Sequence, residues 1–183
     1  MVEQIDEGGI RMNFYMTTGT PLFMEKLHKK YENEKMYILY GTTETLLLHE
    51  TERKTVFQTP RIYEVVDGAN ELQQSGFFTL YHIPVSDEGR PVFEKNIKER
   101  STRLKKQTGL IAYRLLRPKK SETYVILLQW TDKRSYDIWK KYDPIAQELE
   151  NFKVGVKKDN IFNAAIYITT YSGAKPKEEE KES

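Results

Sequence analysis

Apolar and polar residues follow a strand-like alternation through most of this chain, interrupted by three stretches with the longer period of a helix. Thr123 to Trp130, TYVILLQW, is a run of β-branched, aliphatic and aromatic residues and predicts a strand covered on both faces. Thr131 or Asp132 can cap a helix that carries Tyr136, Trp139 and Tyr142 at three-residue spacing. Asp143-Pro144 repeats the start signal, with Asp as N-cap and Pro at the first helical position. The helix therefore breaks and resumes, with Ile145, Leu149 and Phe152 on its apolar side. Upstream, the pattern predicts a strand over Gly76–Pro84, a helix over Glu88–Gln107 and a strand over Leu110–Leu116; downstream, it predicts a strand over Ile161–Tyr171. The order βαββαβ is the ferredoxin-like arrangement.

The first third of the chain is patterned differently. Met12 to Thr18 is β-rich, and Thr20-Pro21 opens a helix with Leu22, Phe23, Leu27 and Tyr31 along one side. Lys35–Tyr40 and Glu44–His49 read as strands joined through Gly41, and Thr55–Gln58 and Ile62–Val66 as shorter extended pieces. A β-α-β-β-β unit of about 60 residues is small for an independent core, so it is expected to pack on the second half. Asp67 to Ser75, polar with Gly-Ala-Asn near its start, reads as the seam. The expected organisation is α+β: a flexible arm over 1–11, a small α+β domain over 12–72, the ferredoxin-like domain over 73–173 and a charged, disordered tail over 174–183. A sheet with helices on one face leaves the other to be covered. Val125 and Leu127 alternate with Ile126 and Leu128, so both faces are apolar and a homodimer through the uncovered one is expected.

Composition narrows the classes. A 38% hydrophobic, 12% aromatic chain of 183 residues is globular and long enough for a real core. There is no apolar run of membrane-spanning length, and MVEQIDEGG lacks the basic-then-apolar pattern of a secretion signal. The absence of cysteine removes disulfides, thiolate metal sites and Cys nucleophiles, and fits a reducing cytoplasm. A net charge of +2 does not announce nucleic acid. Charge is nevertheless uneven: Arg90 to Lys120 holds eleven Lys/Arg against two Glu, either a solvated face or a rim that attracts an anion. No GxGxxG, P-loop, HExxH or GxSxG is present, and Ser101-Thr102 has no recognisable base partner in sequence.

Trp130 and Trp139, nine apart across a strand end and a helix start and followed by the Asp143-Pro144 break, resemble the IsdG-type haem-degrading monooxygenases. These belong to the antibiotic-biosynthesis-monooxygenase (ABM) group of dimeric α/β barrels. YRLLRP (Tyr113–Pro118), PRIYEVVD (Pro60–Asp67) and EGRPVFE (Glu88–Glu94) resemble its two-domain branch, the HmoB-like and TRAP-like proteins, and the likeness runs from about Met12 to Ser172. It implies haem as substrate and cofactor, an external electron donor such as a reductase, and three working side chains. One is an axial His on the helix after the break. The second is a Trp ten residues before it, which ruffles the porphyrin. The third is an Asn on the first strand, which orients iron-bound oxygen. Trp139 matches; ten residues on stands Leu149, and the first strand, TLYHIPV, offers Tyr81 with His82 beside it.

Haem iron needs a Lewis-basic axial group, which Leu149 lacks. Tyr81 or His82 is a candidate iron ligand, depending on which face of the Gly76–Pro84 strand lines the pocket. Arg100 falls in the stripe Phe93, Ile97, Leu104, and either snorkels outward or offers its guanidinium to a propionate. His28 and His49 read as structural or solvent-facing. The resemblance thus implies a haem-binding monooxygenase, able to open the porphyrin and release iron, with an atypical catalytic set. The alternatives are a non-catalytic TRAP-like signalling or binding protein and a metal-free ABM-type enzyme for a small aromatic substrate.

Overall fold

The computed structural model describes residues 11–152 and 165–177. The N-terminal half is β1 (Asn13–Gly19), α1 (Pro21–Lys30), β2 (Met36–Tyr40), β3 (Thr45–Thr51) and β4 (Arg61–Ala69). The C-terminal half is β5 (Phe77–Pro84), a 3-10 turn (Asp87–Gly89), α2 (Arg90–Leu104), β6 (Leu110–Pro118), β7 (Thr123–Trp130), α3 (Lys133–Tyr142), α4 (Pro144–Glu150) and β8 (Tyr167–Ser172). The Thr20 side chain caps α1 and Asp143 caps α4, as their sequences require, and of the two candidates Asp132 caps α3. The chain thus has the expected α+β, ferredoxin-like fold. None of the described helices is long and apolar enough to cross a membrane.

The two halves repeat one topology. β4-β1-β3-β2 in the first corresponds to β8-β5-β7-β6 in the second, and the two sheets close into one eight-stranded barrel in the order β1-β3-β2-β8-β5-β7-β6-β4. The face expected to need a second subunit is therefore covered by the chain's own N-terminal strands, and the motive for a homodimer through it is gone. Phe78, Leu80, Val125 and Leu127 meet Phe14, Met16, Leu46 and Leu48 inside the barrel, all fully buried. One seam, β4 to β6, is a long ladder; the other, β2 to β8, is a single pair, Tyr40 with Ser172. The Gln74 side chain completes that thin seam. Its Oε1 accepts from the Ile38 N–H at 2.8 Å, and its Nε2 donates to the carbonyls of Ile38 and Gly173 at 2.7 and 2.8 Å.

Several expectations shift. β4 runs through Ala69, so the seam begins later than Asp67. Asp67 instead accepts from Ser101 Oγ at 2.9 Å and Tyr113 OH at 3.1 Å, with Lys105 Nζ at 3.3 Å, tying β4 to α2 and β6. Ser101, which has no visible partner in sequence, completes the buried side of α2 with Phe93, Ile97 and Leu104. Arg100 is displaced from that side by one position. On α1, Met24 is the buried residue, whereas Leu22 and Phe23 are exposed. Tyr142 is also exposed. Residues 52–60 hold no strand, so the extended piece expected over Thr55–Gln58 is irregular chain. The arm over 1–10, the first part of the last predicted strand and the tail beyond 177 lie outside the described residues.

Candidate functional site

The helical side of the C-terminal sheet carries the residues singled out above. Alternation on β5 sends Thr79, Tyr81 and Ile83 toward α2, α3 and α4, while Phe78, Leu80 and His82 point into the barrel. β7 ends in Trp130, whose Nε1 donates to Thr79 Oγ1 at 3.1 Å and fixes the indole. Gly109, at φ +84°, lets α3 approach: a Cβ there would lie 2.6 Å from Ser135. α3 then lays Tyr136 and Trp139 on the sheet.

The result is a continuous aromatic cluster. Trp130 and Trp139 lie 5.2 Å apart between ring centroids, Trp130 and Tyr136 5.9 Å, and Tyr81 meets Trp139 edge to face at 6.3 Å. Tyr81 OH and Tyr136 OH share a 3.5 Å hydrogen bond. After the break at Asp143, α4 closes the cluster with Ile145, Ala146 and Leu149, all buried. Trp139 Nε1 has no hydrogen-bond partner among the described residues.

Electrostatics follow from this packing. Burial, reinforced by the bond from Tyr136, pushes the Tyr81 phenol far above its ordinary range, so it is a neutral hydroxyl rather than a tyrosinate. His82 lies inside the barrel, its Nε2 2.8 Å from Thr169 Oγ1 and its ring stacked on Tyr167 at 4.2 Å. Burial, with Arg61 nearby, pulls the imidazole down to about 4. Arg100 Nε donates to Glu148 and Nη1 to the Asn96 carbonyl at 3.2 Å, so the guanidinium braces α4 against α2. His49 is buried between Glu34 and Thr55, and His28 bonds the Met36 carbonyl.

The structure therefore brings Tyr81, Trp139 and Leu149 together and sets His82 and Arg100 apart from them. Haem fits this set poorly. The position for an axial His is a buried leucine, the nearby phenol is held neutral, and the imidazole lies on the opposite face of the sheet. Among the described residues no group of three or more His, Asp or Glu could hold a metal ion. The basic stretch is also largely engaged within the chain. Arg103 pairs with Asp143, Lys105 with Asp67, Arg114 with Glu50, and Arg117 with Glu94. Two buried clusters escaped sequence reasoning: Glu50–Arg114, and Glu94 with Arg117 and Tyr124. In the second, Glu94 Oε1 accepts from Arg117 Nε and Tyr124 OH at 2.6 Å each.

Residues 77–147 match the family model described as antibiotic biosynthesis monooxygenase. The chain has the ferredoxin-like ABM fold. Among curated proteins, signal transduction protein TRAP of Staphylococcus epidermidis is 25% identical over 132 residues, covering 72% of this chain and 79% of that protein. Among solved structures, a major regulator of staphylococcal pathogenesis aligns with a TM-score of 0.76 at 22% identity, over 89% of this chain and 99% of its own. The heme-degrading enzyme LmHde from Listeria monocytogenes aligns with a TM-score of 0.71 at 19% identity, over 87% of this chain and 98% of its own. At such identities the structural likenesses speak for the ABM fold alone.

Proposed function

We propose that this chain is a non-catalytic binding and signalling protein of the TRAP-like kind, on an ABM fold whose haem site has become packed core. One observation carries the reading: Leu149, 2% exposed, stands where the IsdG-type pattern places its axial His, beneath a cluster already filled by Tyr81, Tyr136 and Trp139. Without a donor at that place iron has nothing to bind. With the aromatic rings in van der Waals contact, a porphyrin would have to displace side chains that make the core. The curated relatives point the same way, being named for signal transduction.

The haem-degrading reading keeps one residue on its side. Trp139 is retained, and its Nε1 is a buried donor without a described acceptor. One experiment decides between them. Haemin is titrated into the purified protein, the Soret band is recorded, and ascorbate is added. The expected result is no saturable Soret shift and no bleaching beyond that of free haemin. A sharp one-to-one transition followed by ascorbate-driven loss of the band would overturn the proposal and restore the monooxygenase.

A further inference from the structure

The internal repeat exposes a second place. Each half opens its main ladder by pairing the first residue of the leading strand with the last of its partner: Asn13 with Thr51, and Phe77 with Trp130. Four residues on from each lie Thr17 and Tyr81, so the two hold equivalent positions beneath the helical side of their sheets. Tyr81 is covered by Tyr136 and Trp139 from α3. Over Thr17 no described helix takes that place, because residues 52–60, which join β3 to β4, are irregular. What remains is a half-open cleft of about 450 Å³ between β1, α1 and residues 56–59.

We propose that this cleft binds a small carboxylate with an apolar or aromatic body. Its wall is Phe23 and Leu27 on α1 and Tyr31 just past its end, four residues apart; Leu27 and Tyr31 pack in part against the core, and Phe23 stands over the opening. Met24 and Phe57, both buried, form the base, and Val56 faces the stripe across the opening. Phe23 is 62% exposed and Val56 37%, so the rim is apolar surface around a concavity rather than on a flat face. The volume lies in the range of roughly 300–1,000 Å³ usual for small ligands. A helix, about 10–12 Å across with its side chains, would not enter it.

The charge selects the head group. Lys26 and Lys30 line the cleft one helical turn apart, and among the described residues no Asp or Glu lines it with them. Like charges at that spacing repel in the free protein, and an anion between them relieves the repulsion. The hydroxyl of Thr17 and the amide of Gln58 add neutral hydrogen-bonding groups at the same mouth.

The test uses the full chain and 2-naphthoate as probe, followed by two-dimensional amide NMR. Saturable shifts are expected at Thr17, Thr18, Leu27, Tyr31, Val56 and Gln58. Replacing both lysines, Lys26→Gln with Lys30→Gln, should weaken the fitted Kd about tenfold or more, the factor expected for loss of one charge-assisted contact. On the unaltered protein, uncharged 2-naphthalenemethanol should bind more weakly by a similar factor. Thr17→Trp, which fills the cleft, should abolish the shifts, with circular dichroism melting as the check on folding. The exposed lysine pair keeps the test decisive if that variant unfolds. Absent saturation, shifts centred on Tyr136 and Trp139, or equal affinity for acid and alcohol would each overturn the proposal. None of these outcomes depends on the haemin titration, so the two readings stand or fall separately.

Discussion

The buried pair that crosses the barrel offers a quantitative test of how the halves are joined. Arg114 on β6 and Glu50 on β3 both point inward, and two other strands separate them around the wall. Arg114 Nε reaches Glu50 Oε2 at 2.7 Å and Nη2 reaches Oε1 at 3.2 Å, with side chains 9% and 10% exposed. Gly68 makes room, since a Cβ there would lie 3.1 Å from Arg114 Cδ. Glu50→Gln keeps the shape and removes the charge. At an effective dielectric near 20, the attraction lost between unit charges about 4 Å apart is roughly 4 kcal/mol. The guanidinium keeps its bonds from Nη1 to the carbonyls of Ala69, Asn70 and Tyr113, at 3.2, 2.7 and 2.8 Å, which soften its isolation.

The expected destabilisation is therefore about 3 kcal/mol, at the low end of the range for breaking a buried pair. For a chain of this size that corresponds to a fall of roughly 6–12 °C in melting temperature. Urea unfolding of Glu50→Gln, Arg114→Met and the double variant measures it. The double variant should be less damaged than the sum of the singles, because it leaves no charge unpaired. A loss under about 0.5 kcal/mol for Glu50→Gln would show that the pair behaves as a surface contact, and strict additivity would refute the coupling.

Three further outcomes follow. His82 ionises near 4 in the folded barrel against about 6.5 unfolded, so the stability it confers is complete above 6.5 and lost as pH falls toward 4. That loss amounts to about 3 kcal/mol, and the fall in melting temperature between pH 7 and 4.5 should be smaller in His82→Gln. Leu149→His should cost about 2–3 kcal/mol for burying an imidazole and give no Soret shift alone; Leu149→His with Tyr81→Asn and Tyr136→Ala should give one, and a His-type spectrum from the single variant would show the cluster yields to porphyrin. Light scattering at micromolar concentration should give the 21.6 kDa of one chain, and twice that mass would show a dimer interface outside the barrel.

What the sequence disclosed and what it hid divide along a physical line. Local rules were legible: Thr20-Pro21 and Asp143-Pro144 start helices where they should, and TYVILLQW spans Thr123–Trp130 as a strand buried on both faces. Trp139 was singled out through the resemblance that its spacing to Trp130 carries, and the two indoles lie 5.2 Å apart between ring centroids. The sides of β5 were not, because alternation states that Tyr81 and His82 part company without saying which goes to the helices. Packing of the first half on the second was legible from its small size, but that it closes the barrel in place of a second subunit was hidden. An apolar sheet face looks the same whether a second subunit or β1–β4 covers it. Charged residues were hardest of all, since Arg114 and Glu50 meet only after two sheets have curled toward each other.

The repeat also explains why one half is closed and the other open. A ligand site under a sheet costs stability, because it leaves space where side chains would pack and polar groups where none are needed. In the C-terminal half no such space is left. Tyr81 packs under Trp139, Leu149 fills the far side of the cluster, and the Tyr136 hydroxyl pairs with that of Tyr81. These contacts are mutually dependent. A histidine at 149 would face buried aromatic rings, and a smaller residue would leave a bare cavity worth several kcal/mol of lost stability. In the N-terminal half, Thr17 stands where Tyr81 stands, but no α3–α4 arrives to cover it, and Phe23, Leu27 and Tyr31 are left facing Val56 across the gap. Leu27 and Tyr31 are accounted for by their packing on the core, but the exposed Phe23 and Val56, apolar and beside two lysines, are better accounted for by something that binds them than by the fold alone.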